Sequence, residues 1–257
     1  MSTRALLACL VLAAAASLFL WQTVWLYPFR LLVTLMHESG HALTAWAVGS
    51  HVSSVTISPA TGGLTYHSLT GSLWKELLIA SGGYVGSSLA GALLLVAAGH
   101  MRSGRLLLWG LVAWMVGVAV LWVPLFAPDP GAAHALATGS SSADGLFTLG
   151  FIAGMGALLG LVAWKGPVWL RRGLVVWIAA LSCLLALQDI KGLFGYGLEV
   201  GVSDAHAMAR LTYVPAPFWA AVWMLASLGA MVLGLRSILR RRQGMASRRP
   251  LTRLSFR

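Results

Sequence analysis

The residues with most chemical potential are gathered in Met36-His37-Glu38-Ser39-Gly40-His41, a His-Glu-x-x-His sequence inside an apolar run from Leu31 to Val48. In a helix, His37 and His41 lie one turn apart on one face, the spacing at which two imidazole nitrogens can hold one metal ion. Glu38 then stands beside the ion, not on it. From there its carboxylate can take a proton from a metal-bound water whose pKa the ion has lowered, which is hydrolytic chemistry. With seven His and three Glu in 257 residues, independent frequencies produce such a motif by chance in roughly two chains per thousand. The plainer alternative is that these side chains face a polar pocket in a helix bundle. Within a membrane each ionisable group at mid-depth costs about 2.5–3.5 kcal/mol. Three in one segment need a shared compensation, and a metal ion supplies it.

A catalytic zinc takes three protein ligands and keeps one position open. The chain offers only four Asp and three Glu. Asp129 and Asp144 fall in a loop, Glu76 opens an apolar span and Glu199 lies in a connection. Asp189, in Leu187-Gln188-Asp189-Ile190, ends an otherwise apolar helix, where an unpaired carboxylate is costly, and it ranks first as third ligand. Asp204 follows Ser203 and precedes Ala205-His206-Ala207-Met208. It ranks second, because it equally suits the first turn of a short helix. His51 and His67 read as interfacial histidines, not ligands.

The elements that must position these groups are membrane spans. The chain is 58% hydrophobic and 10% charged, with mean hydropathy +0.81, which excludes an ordinary water-soluble domain. Apolar runs of about 20 residues, enough to cross a hydrocarbon core, recur throughout. The expected fold is an all-α polytopic membrane protein with about six or seven transmembrane helices, one integral domain over residues 1–239 and a basic tail over 240–257. The first span is expected from Ala5 to Tyr27, broken by Tyr27-Pro28, with Phe29-Arg30 opening the metal-site helix. Between Gly49 and Tyr66, Val52, Val55, Ile57, Leu64 and Tyr66 alternate with Ser, Thr and Gly around Pro59 and Gly62-Gly63. That pattern predicts a short β-hairpin after the metal-site helix, although a plain loop fits it equally. A hairpin there could accept an extended peptide as an added strand across the metal. Later spans are expected over Leu73 to Ala98, Leu106 to Phe126, Gly145 to Trp164, Val168 to Leu187 and Phe218 to Leu239. In the first of these, Gly83, Ser87 and Gly91 recur every four residues, which predicts close helix packing and not phosphate binding. Trp74, Trp122, Trp164 and Trp169 near span ends suit an interfacial belt.

Charge sets the orientation. Arg102 and Arg105, then Lys165, Arg171 and Arg172, then the tail, occupy alternate connections, whereas Ala127 to Asp144 holds no Lys or Arg. The former connections should be cytoplasmic and the last an irregular external loop. Seven of the eighteen Lys and Arg, part of a formal net charge of +11, lie between Arg240 and Arg257. This tail reads as a cytoplasmic anchor to anionic lipid. It has no interleaved aromatics and no folded reader, so no nucleic-acid partner is expected. Cys9 and Cys183 sit in apolar runs and behave as small hydrophobes. Depth raises a conflict, since His37 lies about 10 Å beyond Arg30 and Asp189 about 25 Å beyond Arg172 along their helices. The two would meet if Arg30 is near the external side and the hairpin returns as a re-entrant segment in a wet, protein-lined cavity. A broken helix at Asp189 would serve equally.

Taken in order, His37-Glu38-Ser39-Gly40-His41-Ala42, Gly62-Gly63-Leu64-Thr65, Ser81-Gly82-Gly83-Tyr84-Val85-Gly86-Ser87-Ser88, Gln188-Asp189-Ile190 and Ser203-Asp204-Ala205 resemble the bacterial branch of the site-2-protease-like membrane metallopeptidases. The resemblance spans roughly residues 30 to 235. It implies an intramembrane zinc (Zn2+) peptidase in which His37, His41 and an Asp bind the ion and Glu38 is the base. The chain lacks the Leu-Asp-Gly motif in which better-known site-2 proteases place the third ligand. The expected function is a zinc metalloendopeptidase of the cell inner membrane, multi-pass, hydrolysing a peptide bond of a membrane protein or peptide substrate through a Glu-activated zinc-bound water. The alternative is a non-proteolytic membrane scaffold or carrier with a structural metal site, which a closed four-ligand shell would favour.

Overall fold

The computed structural model describes residues 3–101, 103–123, 142–195 and 203–247, without the side chains of residues 142, 186–187, 189–195 and 241–247. Asp129, Glu199 and the end of the basic tail lie outside the described residues. The backbone of Asp189 is helical, but its side chain is outside them too.

Eight helices and one hairpin make up the described chain: α1 (Thr3–Phe19), α2 (Tyr27–Ala47), β1 (Val52–Ile57), β2 (Gly63–His67), α3 (Leu73–His100), α4 (Arg105–Trp122), α5 (Ser142–Lys165), α6 (Val168–Gly195), α7 (Asp204–Thr212) and α8 (Ala216–Ser247). Five of them, α3, α4, α5, α6 and α8, are long and apolar enough to cross a membrane. The chain is an all-α polytopic membrane protein with a small hairpin. Prolines stand at helix starts: Pro28 in the first turn of α2, Pro167 just before α6 and Pro217 at the start of α8. There the missing N–H has no intrahelical bond to lose. Large apolar side chains of α1, α4, α5 and α8 are exposed on the outside of the bundle, as lipid contact requires. Trp74, Trp164 and Trp169 are likewise exposed at helix ends.

Two sequence expectations need correction. The first helix ends at Phe19 and does not run to Tyr27. Turns at Thr23→Leu20, Leu26→Thr23 and Tyr27→Val24 follow it, and the Thr23 hydroxyl also bonds the Leu20 carbonyl at 2.7 Å. Such side-chain bonds offer the backbone an alternative to the helix, and Tyr27-Pro28 accordingly opens α2 instead of closing α1. Asp144, expected in a loop, lies in the first turn of α5, where the helix dipole favours an acid.

The hairpin is present, antiparallel, with Val55 opposite Thr65 and Ile57 opposite Gly63. Its position follows from how α2 ends. Ser50 N–H bonds the Ala45 carbonyl and Gly49 N–H the Trp46 carbonyl, with Gly49 at φ +83°, a left-handed helix cap that reverses the chain. The strands then run back along α2. Tyr27 hydroxyl donates to the Pro59 carbonyl at 2.8 Å, and Thr34 hydroxyl to the Thr61 carbonyl at 3.1 Å, so the hairpin tip reaches the first turns of α2. On the far side of β1, Thr148 of α5 accepts from the Ile57 N–H at 2.9 Å.

Contacts along the helices fix their directions. Cys9 meets Gly173 and Ser17 meets Gln188, so α1 and α6 are parallel. Arg172 meets Ala98 and Cys183 meets Ser88, so α3 runs against α6. The starts of α1 and α6, the end of α3 and Gly104 therefore share one end of the bundle, and that end carries Arg4, Arg105, Arg171 and Arg172.

Candidate metal centre

Three elements converge on α2. Its middle turns, from Leu35 to Ala42, are buried all round. They are enclosed by α3 on one side and the hairpin on another, with α7 closing over the histidines. The approach of α3 depends on missing side chains. A Cβ on Gly40 would run into the Gly82 carbonyl, one on Gly86 would sit 3.0 Å from the Gly40 Cα, and one on Gly82 would meet Thr44 Oγ1. A Cβ on Gly83 would overlap both imidazole rings. The small-residue segment is thus packing, as its spacing predicts, and Gly83 also makes the room in which the histidines meet. Further along α3, Gly91 admits Ala179 and Cys183 of α6, and Ser88 bonds Ser227 of α8 at 2.5 Å.

His37, His41 and Asp204 each present one ligand atom to a common point. His37 Nε2 lies 2.8 Å from Asp204 Oδ2, His41 Nε2 3.1 Å from the same oxygen, and the two Nε2 atoms 3.0 Å from each other. Ligands about 2.0–2.1 Å from a tetrahedral ion would be about 3.3 Å apart. The triangle is close to one face of such a tetrahedron. His41 Nδ1 lies 2.7 Å from the Ile79 carbonyl. A carbonyl only accepts, so Nδ1 carries the proton and the Nε2 lone pair is turned to the common point, the tautomer that an outer-shell partner fixes for a metal-binding histidine. Two neutral imidazole nitrogens and a carboxylate form a donor set that fits a tetrahedral divalent cation with one side left open. His37 is held differently: its ring packs edge-on against Tyr84 with centroids 4.5 Å apart, and Tyr84 stacks on Trp223 at 4.9 Å. Its buried Nδ1 has no hydrogen-bond partner.

Of the two aspartates that the sequence offers as third ligand, Asp204 is the one whose carboxylate meets both histidines, while the side chain of Asp189 is outside the described residues. Asp204 is also the first residue of α7, with Ser203 at the N-cap. The two readings of this residue, first-turn acid and metal-site acid, therefore coincide.

Glu38 lies outside the triangle. Thr65 Oγ1 of β2 is 2.8 Å from its Oε2 and 2.9 Å from its carbonyl oxygen, so the single hydroxyl proton ties the hairpin to the acid. A Cβ on Gly63 would stand 2.6 Å from Glu38 Oε1, so only glycine lets β2 pass this close. Cavities open on two sides. One of about 250 Å3 is lined by Glu38, His41, Asp204, Arg210 and the β2 residues Gly63 to Thr65 and His67. Another of about 280 Å3 is lined by Thr34, His37, Glu38, Asp204 and Tyr84. Thr65 and Tyr84 belong to the glycine-rich motifs, but their roles are not readable there, since no spacing rule reveals a contact made across the chain. His67 borders the first cavity and is not among the converging ligands, and His51 is exposed.

The family model described as Peptidase M50B-like matches residues 9–127 and 132–234. No curated protein and no solved structure matches the chain. With most of its length covered, and with paired histidines and an aspartate brought together among membrane-spanning helices, the chain belongs to the Peptidase M50B-like family of membrane metalloproteases.

Proposed function

We propose that the protein is an intramembrane zinc metalloendopeptidase in which His37, His41 and Asp204 hold the ion and Glu38 is the general base. The observation that carries this reading is the separation of roles around the site. Three side chains converge on one point, while a fourth, the acid Glu38, buried and tethered by Thr65, lines both cavities beside that point. Bound zinc supplies Lewis acidity, lowering the pKa of a water and polarising a carbonyl oxygen. Glu38 takes the proton of the attacking water and returns it to the departing amine. Thr65 keeps the carboxylate turned to the cavity, and Tyr84 and Gly83 fix where the rings sit.

Substrate placement follows from the hairpin. The edge of β1 is occupied by Thr148, whereas Gly63, Leu64, Thr65 and His67 of β2 border the cavity beside Glu38 and His41. An extended segment of a membrane protein or peptide, added as a third strand on β2, would cross the site. Arg4, Arg105, Arg171 and Arg172 at one end of the bundle favour placing that end in the cytoplasm of a bacterial inner membrane, with the basic tail on anionic lipid. The scaffold reading with a structural ion is less well supported, because cavities flank the ligands on two sides where a structural shell would be closed.

The test compares metal content with cleavage of a transmembrane peptide by purified protein. Glu38→Gln should keep stoichiometric zinc and lose at least about a hundredfold in rate, within the range general-base removal costs. Asp204→Ala should lose the zinc itself. Proteolysis retained by Glu38→Gln would end the proposal.

A further inference from the structure

One group on the cleft has no part in the reaction just described. Arg30 lies in the first turn of α2. Its Nη2 donates to Thr61 Oγ1 at 2.6 Å, and its guanidinium carbon stands 5.9 Å from the centre of the Trp21 ring. Its Nε is buried and has no hydrogen-bond partner. The side chain lines a cavity of about 220 Å3 with Trp21, Thr34, Thr61, Tyr84, Leu185 and Gln188, and no acidic side chain lines this cavity among the described residues. The start of α2 adds to the positive field, since it has no acid in its first turn and no side-chain cap. A guanidinium taken partly out of water, with donors left over, is matched by a carboxylate, which can accept two parallel N–H bonds.

This cavity adjoins the catalytic one. Thr34, Thr61, Tyr84 and Leu185 line both it and the cavity that contains His37, Glu38 and Asp204. Arg30, Thr34 and His37 follow one another on one face of α2, and seven residues of helix span about 10 Å. An extended peptide covers that distance in about three residues. A lipid phosphate would also suit a guanidinium, but the walls shared with the catalytic cavity and the hairpin wall at Thr61 favour a segment of the substrate.

We propose that Arg30, with Thr34 and Thr61, forms a subsite for an acidic side chain carried by the substrate about three residues from the bond to be cut. The proposal rests on the peptidase reading for its substrate, and its test separates the two. Transmembrane peptides in pairs, with Glu or Gln walked outwards from the cleaved bond on both sides, are bound to full-length Glu38→Gln protein in neutral detergent and offered to wild type for cleavage. At one position, about the third, the Glu peptide should bind about tenfold tighter than its Gln partner, the lower end for a hydrogen bond to a charged group. In a second background the ratio should fall to near one with Arg30→Gln and recover in part with Arg30→Lys. No Glu preference at any position would overturn the proposal. So would a ratio that survives Arg30→Gln while both peptides weaken together, which is the signature of a merely structural arginine. Arg30-dependent binding of phosphatidylglycerol without any Glu preference would assign the guanidinium to lipid and overturn it as well. Selective binding of the Glu peptide with no cleavage by wild type would remove the peptidase reading and leave the subsite in place.

Discussion

The pair α2 and α3 and the pair α4 and α5 are both rich in glycine, yet they use it in opposite ways. Between α2 and α3 the backbones touch: Gly40, Gly82 and Gly86 have no space for a methyl group, and Gly83 borders the histidine rings. On α4 and α5, a Cβ at Gly110, Gly117, Gly150, Gly154 or Gly156 would meet nothing within 4 Å. Trp109 and Trp164 instead border a largely apolar groove of about 660 Å3 between these helices. In lipid, apolar burial gives helices little reason to associate, and close van der Waals contact has to do it. The tight pair is where positional precision is needed, because an imidazole displaced by an ångström no longer shares an ion. The loose pair packs behind the hairpin, where Thr148 of α5 hydrogen-bonds Ile57 of β1 on the side away from β2.

This difference can be broken first at its tightest point. Gly40→Ala should force α2 and α3 apart, destabilise the protein by about 1–3 kcal/mol or more as overpacking does, and carry Ile79 away from His41. A drop in the thermal midpoint in detergent together with loss of bound metal would display both effects; an unaltered midpoint would mean that the contact is slack. A smaller effect is expected where the hairpin meets α2. Thr65→Val keeps the shape of the side chain and removes the bond to Glu38, so cleavage should fall about 10–100-fold with metal retained, the usual cost of losing an outer-shell partner. Rate and zinc content measured on the same preparation check it. The smallest effect belongs to the loose pair: Gly154→Ala should leave activity unaltered and stabilise by about 0.4–1 kcal/mol, through a less flexible unfolded chain. A clear loss of stability there would erase the contrast between the two regions.

Much of the site is legible in the sequence. The apolar runs over residues 73–98, 106–126, 145–164, 168–187 and 218–239 correspond to α3, α4, α5, α6 and α8, and the alternation after Gly49 corresponds to β1 and β2. Hydropathy overextends the first helix because Leu20, Trp21, Val24, Trp25 and Leu26 continue the apolar run with no charged residue, and it does not register a run of turns held by Thr23. Asp204, whose carboxylate meets both histidines, ranks second to Asp189 in the sequence for a related reason. Asp189 draws attention because it sits in an apolar helix, whereas Asp204 follows a serine in an ordinary helix-start pattern. A cost of burial can be read along one helix; a partner delivered from another helix cannot.

Sequence by itself determined the membrane class, the pairing of His37 with His41 and the place of Glu38 between them, because hydropathy and helical spacing are local properties. Tertiary structure decided what those groups face. It brought Asp204 from more than 160 residues away to within 2.8 and 3.1 Å of the two imidazoles, set Thr65 on Glu38 and Ile79 on His41, and left Arg30 bordering the same cleft. Those contacts depend on how α3, α7 and the hairpin pack around α2, and packing is a property of surfaces meeting in space.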